Sequence, residues 1–174
     1  MNLPNSITII RAILIPFFVD LMIYGYYQAA LYVFLIACLS DALDGLIARL
    51  TRTQTELGAF LDPVADKLLI VSSFVTLAFL GPIPVWLVII VVSRDIILAF
   101  GSVVIYFTGH RLVIRPSISG KSTTVLQLLV VTLTLVFMAY GVTTQFLWIA
   151  YWATAALTII SGTQYVMRGM NLMG

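Results

Sequence analysis

The segment that decides both fold and site reads Asp41-Ala42-Leu43-Asp44-Gly45-Leu46-Ile47-Ala48-Arg49, followed after eight residues by Gly58 and then by Asp62-Pro63-Val64-Ala65-Asp66. Four of the chain's seven acidic residues are the aspartates of this segment. An ionised carboxylate in apolar surroundings costs roughly 2.5–3.5 kcal/mol on insertion scales, so four together require compensating positive charge. Bound cations supply that charge most simply, and the segment therefore indicates a metal site.

The spacing of the aspartates supports this interpretation. On a helix of 3.6 residues per turn, Asp41 and Asp44 share one face, and Asp62 and Asp66 share a face of a second helix. Carboxylate oxygens suit hard cations such as Mg2+ or Mn2+ better than zinc or copper. The alternative is that the aspartates only neutralise nearby Arg and Lys side chains. Buried ion pairs stabilise poorly and would not require this spacing, so the metal site is the favoured interpretation.

The rest of the chain is typical of a membrane protein. Hydrophobic residues make up 61% of the 174 residues and charged residues only 9%, whereas charged residues are about a quarter of an ordinary soluble domain. The mean hydropathy is +1.11. We therefore predict an all-α, polytopic membrane protein with six transmembrane helices in a single domain, residues 1–174. Each apolar run is close to the roughly 20 residues that span a bilayer, and the runs lie at 8–25, 29–48, 60–81, 83–107, 122–141 and 146–167.

The basic residues predict the orientation of these spans. Arg49 and Arg52 lie between the second and third runs, and three more cations lie between the fourth and fifth. The remaining connections, near 25–29, 80–84 and 140–146, contain no Lys or Arg. The positive-inside rule then places both termini and the aspartate motif on the cytoplasmic side. A site there would face nucleotides, magnesium and soluble phosphorylated metabolites.

Two further groups of charges are candidates for substrate contact. Arg94 and Asp95 fall inside the fourth run, where ionisable residues are functional by default, although each could instead be satisfied by a different neighbour. Arg111, Arg115 and Lys121 could hold an acceptor's phosphate, or could equally anchor the topology or contact anionic lipid. Lys67, next to Asp66, could reach a phosphate or extend to the membrane surface.

The pattern D-x-x-D-G-x-x-A-R-x8-G-x-x-x-D-x-x-x-D resembles the signature of the CDP-alcohol phosphatidyltransferases, and all eight of its fixed positions are filled. The resemblance implies transfer of a phosphatidyl group from CDP-diacylglycerol to an alcohol, with release of CMP. It implies that two Mg2+ or Mn2+ ions are held by four aspartates, of which the last is also the general base. These metal ligands would be Asp41, Asp44, Asp62 and Asp66.

The same resemblance implies further residues and partners. The donor's cytidine and phosphates would be surrounded by Asp41, Gly45, Ala48, Arg49 and Gly58, and the acceptor would be contacted by Arg94, Arg111, Arg115 and Lys121. We expect membrane lipids and a second copy of the chain, as a homodimer, to be partners, and no nucleic acid. The resemblance also implies a bacterial inner membrane location.

The sequence leaves two main candidates for the identity of the acceptor alcohol. The opening segment from Asn2 to Arg11, and Gly120-Lys121 followed by Thr and Gln127, resemble phosphatidylglycerophosphate synthases, whose acceptor is glycerol 3-phosphate. Arg94-Asp95 is more similar to cardiolipin synthases of this family, whose acceptor is phosphatidylglycerol. A divalent-cation transporter is a distant alternative of a different class, and it would not explain the glycines, alanine and arginine of the pattern.

Overall fold

The computed structural model describes the backbone of residues 3–51, 56–107 and 118–173, and the side chains of residues 10–40, 64–101 and 119–169. These parts of the chain form six long α-helices and one short 3-10 turn at Thr144–Leu147. The predicted all-α class is confirmed. The helices are α1 (Leu3–Ile23), α2 (Tyr27–Thr51), α3 (Glu56–Phe79), α4 (Val85–Phe107), α5 (Ile118–Ala139) and α6 (Trp148–Met173).

Each of three short connections turns on a glycine with positive φ, a conformation that costs other residues more. After α1, Gly25 has φ 78°, its N–H donates to the Met22 carbonyl at 3.2 Å, and the Tyr26 N–H donates to the Leu21 carbonyl at 2.9 Å. After α5, Gly141 has φ 68° and ends the helix with the same pair of bonds. These are Schellman caps, and they satisfy carbonyls that the helix leaves without partners.

The turn after α3 is a variant of the same cap. Gly81 has φ 100°, but the next residue is Pro82, which has no N–H to donate. The Ile83 N–H reaches the Leu77 carbonyl instead, at 3.4 Å. This bond spans one residue more than the corresponding bond in the other two caps, and the next helix begins at Val85.

The three glycine turns lie at the same end of the bundle. The Gln28 side chain, at the start of α2, donates to the Ala139 carbonyl at the end of α5 at 3.4 Å, which joins the helix ends beside the first and third turns. The Tyr151 hydroxyl, at the start of α6, donates to the Pro82 carbonyl in the second turn at 3.1 Å. We call this the turn end. Trp86, at this end, stacks against Trp152 with ring centroids 4.6 Å apart, and such aromatic side chains are typical of a membrane interface.

The interior of the bundle combines apolar packing with hydroxyl groups that are satisfied locally. Helix α1 packs against α2 and α3, and α6 packs against α4 and α5. Buried threonines on α5 and α6 donate to carbonyls one turn back, as Thr134 does to Val130 at 2.8 Å. Thr123 also lies 3.2 Å from the Leu157 carbonyl and so links α5 to α6. These bonds let hydroxyls occupy an apolar core without being left unpaired.

Two helices are long and apolar enough, over their described residues, to cross a membrane: Ser119–Ala139 and Thr144–Gly169. Tyr27–Ser40 is apolar but shorter than a span. In α1, α3 and α4, the stretch whose side chains are described is also shorter than a bilayer requires. Six helices therefore correspond to the six predicted runs, and the crossing of all six stays a prediction.

Candidate active site

The two halves of the aspartate motif lie on different helices. Asp41, Asp44, Gly45, Ala48 and Arg49 fall in the last part of α2, and Gly58, Asp62 and Asp66 fall in the first part of α3. The backbone is helical throughout both stretches, as the spacing predicts. Of these eight residues, Asp66 is the one whose side chain is described. The side chains of the other seven, and the whole of Arg111 and Arg115, lie outside the described residues, so their predicted roles are untested.

Asp66 forms an ion pair with Arg11 of α1. The Arg11 Nη1 donates to the Asp66 Oδ1 at 2.6 Å, a short distance typical of a charge-assisted bond. The two side chains differ sharply in exposure: that of Arg11 is 1% exposed and that of Asp66 is 39% exposed. The cation therefore lies in the protein interior, and the carboxylate has an open side.

Sequence reasoning missed the importance of Arg11. An isolated arginine in a helix of otherwise apolar residues is costly to bury, because its charge must be compensated within the fold. The side chains around it in α1 include Ile10, Ala12 and Ile13, which offer no such compensation. A single cation in an apolar run indicates that a buried charge needs a partner. The sequence does not show that this partner is Asp66, 55 residues away.

A small cavity adjoins Asp66. Its volume is about 100 Å³, enough for a few water molecules at roughly 30 Å³ each. Besides Asp66, the polar side chains of its wall are Cys38 and Thr124, and the Thr124 hydroxyl donates to the Gly120 carbonyl at 3.2 Å. The cavity is bounded by α2, α3 and α5, with the remaining wall formed by Ala37, Leu69, Ile70 and Leu128. A carboxylate thus faces a mostly apolar space between the helices that carry the motif.

Gln127 lies close to this cavity in sequence, between two of its wall residues, Thr124 and Leu128. Its side chain is fully buried, and neither its amide nitrogen nor its oxygen has a hydrogen-bond partner among the described residues. Most buried amides are paired, so an unpaired one is an uncommon feature of a folded core. Gln127 belongs to the segment that resembles phosphatidylglycerophosphate synthases, and it is a polar group still available for bonding.

Arg94 and Asp95 form a second charged network, which includes Lys67, the residue that follows Asp66 in the chain. Asp95 Oδ1 accepts from Arg94 Nη1 at 2.7 Å and from Lys67 Nζ at 2.8 Å. Arg94 Nη2 donates to the Ser161 hydroxyl at 3.0 Å. The network therefore links α3, α4 and α6. Its two cations and one carboxylate leave a net charge of +1, close in sequence to Asp66.

The structure places Arg94 with little freedom to move. Its side chain is 8% exposed, and its Nε is buried without a partner among the described residues. Its stem crosses α6 at Gly162, where a Cβ would lie 3.4 Å from the Arg94 Cγ. It also borders a cleft of about 510 Å³ between α4 and α6, whose walls are mainly apolar. Contact between Arg94 and an acceptor remains a prediction.

Replacing Asp95 by Asn should lower the stability of the bundle. The amide removes a negative charge that both Arg94 and Lys67 contact, and hydrogen bonds to charged groups are worth about 1.5–3 kcal/mol each. We expect a loss of that order in the free energy of unfolding, measured by thermal or denaturant unfolding in detergent. The control is Asp20→Asn, because Asp20 is exposed on α1. Equal stability of the two variants would contradict the linking role of Asp95.

Comparison with known proteins identifies the family. The profile of the CDP-alcohol phosphatidyltransferases matches residues 1–160. The chain belongs to the CDP-alcohol phosphatidyltransferase family. A probable phosphatidylglycerophosphate synthase of Mycobacterium tuberculosis is 34% identical over 99% of this chain and 84% of its own length. A CDP-diacylglycerol--glycerol-3-phosphate 3-phosphatidyltransferase of Bacillus subtilis is 32% identical over 99% and 97%.

A relative that is named for a different product is also similar to this CDP-alcohol phosphatidyltransferase. A probable cardiolipin synthase (CMP-forming) of Drosophila melanogaster is 32% identical over 98% of this chain and 58% of its own length. The family and these relatives show that the chain is a transferase enzyme. The resemblance drawn from the aspartate pattern is thereby confirmed.

The donor set of this CDP-alcohol phosphatidyltransferase fits divalent cations chemically. Four carboxylates at helical spacing on α2 and α3 offer only oxygen ligands, which Mg2+ and Mn2+ prefer. Among the residues with described side chains, no three His, Cys, Asp or Glu residues come together. Three of the four motif aspartates lie outside that set. Lys121, a predicted acceptor contact, is exposed in the first turns of α5.

Proposed function

We propose that the chain transfers the phosphatidyl group of CDP-diacylglycerol to glycerol 3-phosphate, giving phosphatidylglycerophosphate and CMP. The observation that carries the proposal is Asp66, the last aspartate of the family pattern. Its partly exposed carboxylate forms an ion pair with the buried Arg11 side chain and adjoins a cavity between α2, α3 and α5. The name of the Bacillus relative supports the donor and the acceptor, and the name of the Mycobacterium relative supports the product.

Asp41, Asp44, Asp62 and Asp66 would hold two divalent ions, Mg2+ or Mn2+. When bound, such ions neutralise charge on the donor's diphosphate and on the departing CMP. Asp41, Gly45, Ala48, Arg49 and Gly58 would surround the donor's cytidine and phosphates. Small residues at three of these positions leave space for a ligand to approach the helix backbone.

Asp66 would act as the general base. Its carboxylate accepts the proton of the acceptor hydroxyl, and the acceptor oxygen forms a bond to the phosphorus that carries the lipid. The bond from that phosphorus to the oxygen of CMP breaks, and CMP leaves with the bonding electrons. This role is supported by the cavity, whose wall contains both Asp66 and residues of α2, the helix that carries most of the residues proposed to bind the donor.

The acceptor's phosphate would be bound by three cations on the proposed cytoplasmic side of the membrane, namely Arg111, Arg115 and Lys121. Arginine suits this task because its guanidinium can make two parallel bonds to a phosphate. Arg94 would contribute positive charge from the network with Asp95 and Lys67, which has a net charge of +1. The unpaired amide of Gln127 is one further polar group in the same part of the bundle.

Cardiolipin synthesis from phosphatidylglycerol is the second candidate. Arg94-Asp95 favours it, because many phosphatidylglycerophosphate synthases have Arg-Glu at this place, and the Drosophila relative is named a probable cardiolipin synthase. The cleft beside Arg94 is mainly apolar. An acceptor that carries acyl chains would find apolar surface there.

We further propose that all six helices cross the membrane and that the site and both termini face the cytoplasm. The turn end, with its tryptophans and its lack of Lys and Arg, would then lie on the outer side. The chain would act as one domain in a bacterial inner membrane and pair with a second copy. The exposed apolar side chains on every helix would face lipid or that second copy.

The test is CMP release by purified protein with CDP-diacylglycerol and Mg2+ or Mn2+, with each acceptor supplied separately and the lipid product identified by mass spectrometry. Phosphatidylglycerophosphate formed only with glycerol 3-phosphate is the expected result. Cardiolipin formed with phosphatidylglycerol would select the second candidate. Cation flux into proteoliposomes without CMP release would support transport and contradict both.

A further inference from the structure

We propose that Arg11 is a positioning residue for the transfer reaction, holding the Asp66 carboxylate through Oδ1 in the orientation in which it takes the acceptor's proton. This inference rests on the proposed function. It starts from the asymmetry of the ion pair, in which the Arg11 side chain is 1% exposed and the Asp66 side chain 39% exposed. The guanidinium is buried and the carboxylate is partly exposed, so substrate would approach Asp66 from its exposed side.

The local chemistry supports this role. An ionised carboxylate can accept several hydrogen bonds, and the Arg11 Nη1 donates one of them to Oδ1 at 2.6 Å. A guanidinium has only N–H donors and no acceptor, so it does not take a proton from substrate. Its contribution is therefore charge and orientation, and the proton transfer is left to Asp66.

A purely structural role explains Arg11 less well. Helix α1 already packs against α2 and α3 through buried apolar side chains such as Phe18 and Met22. An ion pair with a buried cation adds little to stability compared with apolar packing at the same place. An arginine in such a position is better explained by what it does to the carboxylate it contacts. Misplacement of a reacting group by about 1 Å can lower a rate about 100-fold.

The experiment compares Arg11→Gln and Arg11→Lys with wild type, using the full chain in detergent. The steady-state kcat, the KM for CDP-diacylglycerol and the Kd for Mn2+ by calorimetry are measured for each protein. For Arg11→Gln we expect kcat to fall about 100-fold, while KM and Kd each stay within about threefold of wild type. For Arg11→Lys, which keeps the charge but not the planar donor, we expect a loss of about tenfold in kcat.

The matched control is Arg168→Gln, the same change at an exposed arginine near the end of α6. Its kcat should equal that of wild type. A kcat of Arg11→Gln within threefold of wild type, or a parallel loss of Mn2+ binding, would overturn the proposal. If Arg11→Gln does not fold, the Lys variant decides, and a wild-type kcat there also overturns the proposal. Absence of CMP release by wild type would instead refute the proposed function.

Discussion

Replacement of Asp66 by Asn is expected to lower the rate of CMP release by about a thousandfold, since a positioned general base contributes about 10²–10⁴-fold. The amide has almost the same shape as the carboxylate, but it cannot accept the acceptor's proton. Donor binding should be largely kept, because three other aspartates and the small residues of the pattern remain. The measurement is kcat, together with the KM for CDP-diacylglycerol.

The matched control is Asp20→Asn, which removes an exposed carboxylate from α1 outside the pattern. This variant should have wild-type kcat. If Asp66→Asn keeps more than a tenth of the wild-type rate, Asp66 is not the base. Loss of Mn2+ binding in step with kcat would assign Asp66 to metal binding alone.

Replacement of Asp41 by Asn should weaken metal and donor binding together. Changes that only reorient a metal ligand cost about 10–100-fold in affinity or activity, so loss of a ligand's charge should cost at least that much. We expect the Kd for Mn2+ and the KM for CDP-diacylglycerol both to rise by about this factor. Calorimetry with Mn2+ and steady-state kinetics at several Mn2+ concentrations provide the two values.

Glu56→Gln is the control for Asp41, because Glu56 lies within the same acidic segment but outside the family pattern. A comparable loss in this variant would mean that local negative charge matters and not the ligand position. Unchanged Mn2+ binding by Asp41→Asn would remove Asp41 from the metal site. Comparison with Asp66→Asn distinguishes a residue proposed only as a ligand from one proposed as both ligand and base.

The helices were predictable because each is built from an apolar run of nearly spanning length. The connections expected near 25–29, 80–84 and 140–146 also correspond to turns, and in the structure each contains a glycine with positive φ. The bounds were less accurate. Helix α1 begins at Leu3 and α6 continues to Met173, beyond the predicted runs 8–25 and 146–167. Backbone hydrogen bonding, and not hydropathy, decides where a helix ends.

The contacts between helices were less predictable. Neither of the roles considered for Lys67 includes its pairing with Asp95, 28 residues away. Arg94 and Asp95 diverge on a helix, yet the long arginine side chain folds back to its neighbour at 2.7 Å. Helical periodicity gives the face of a residue but not the helix that meets that face. The same limit explains why Arg11 was not assigned to Asp66.

The three glycine turns have a consequence for how the protein would meet a protease. The connections have only three to eight residues, and the Gln28–Ala139 and Tyr151–Pro82 bonds hold the adjoining helix ends together. A protease therefore finds little extended backbone to bind. Cleavage requires a segment that can open locally, and Schellman caps hold these turns closed. In sealed vesicles with the turn end outward, added protease should leave the chain uncut.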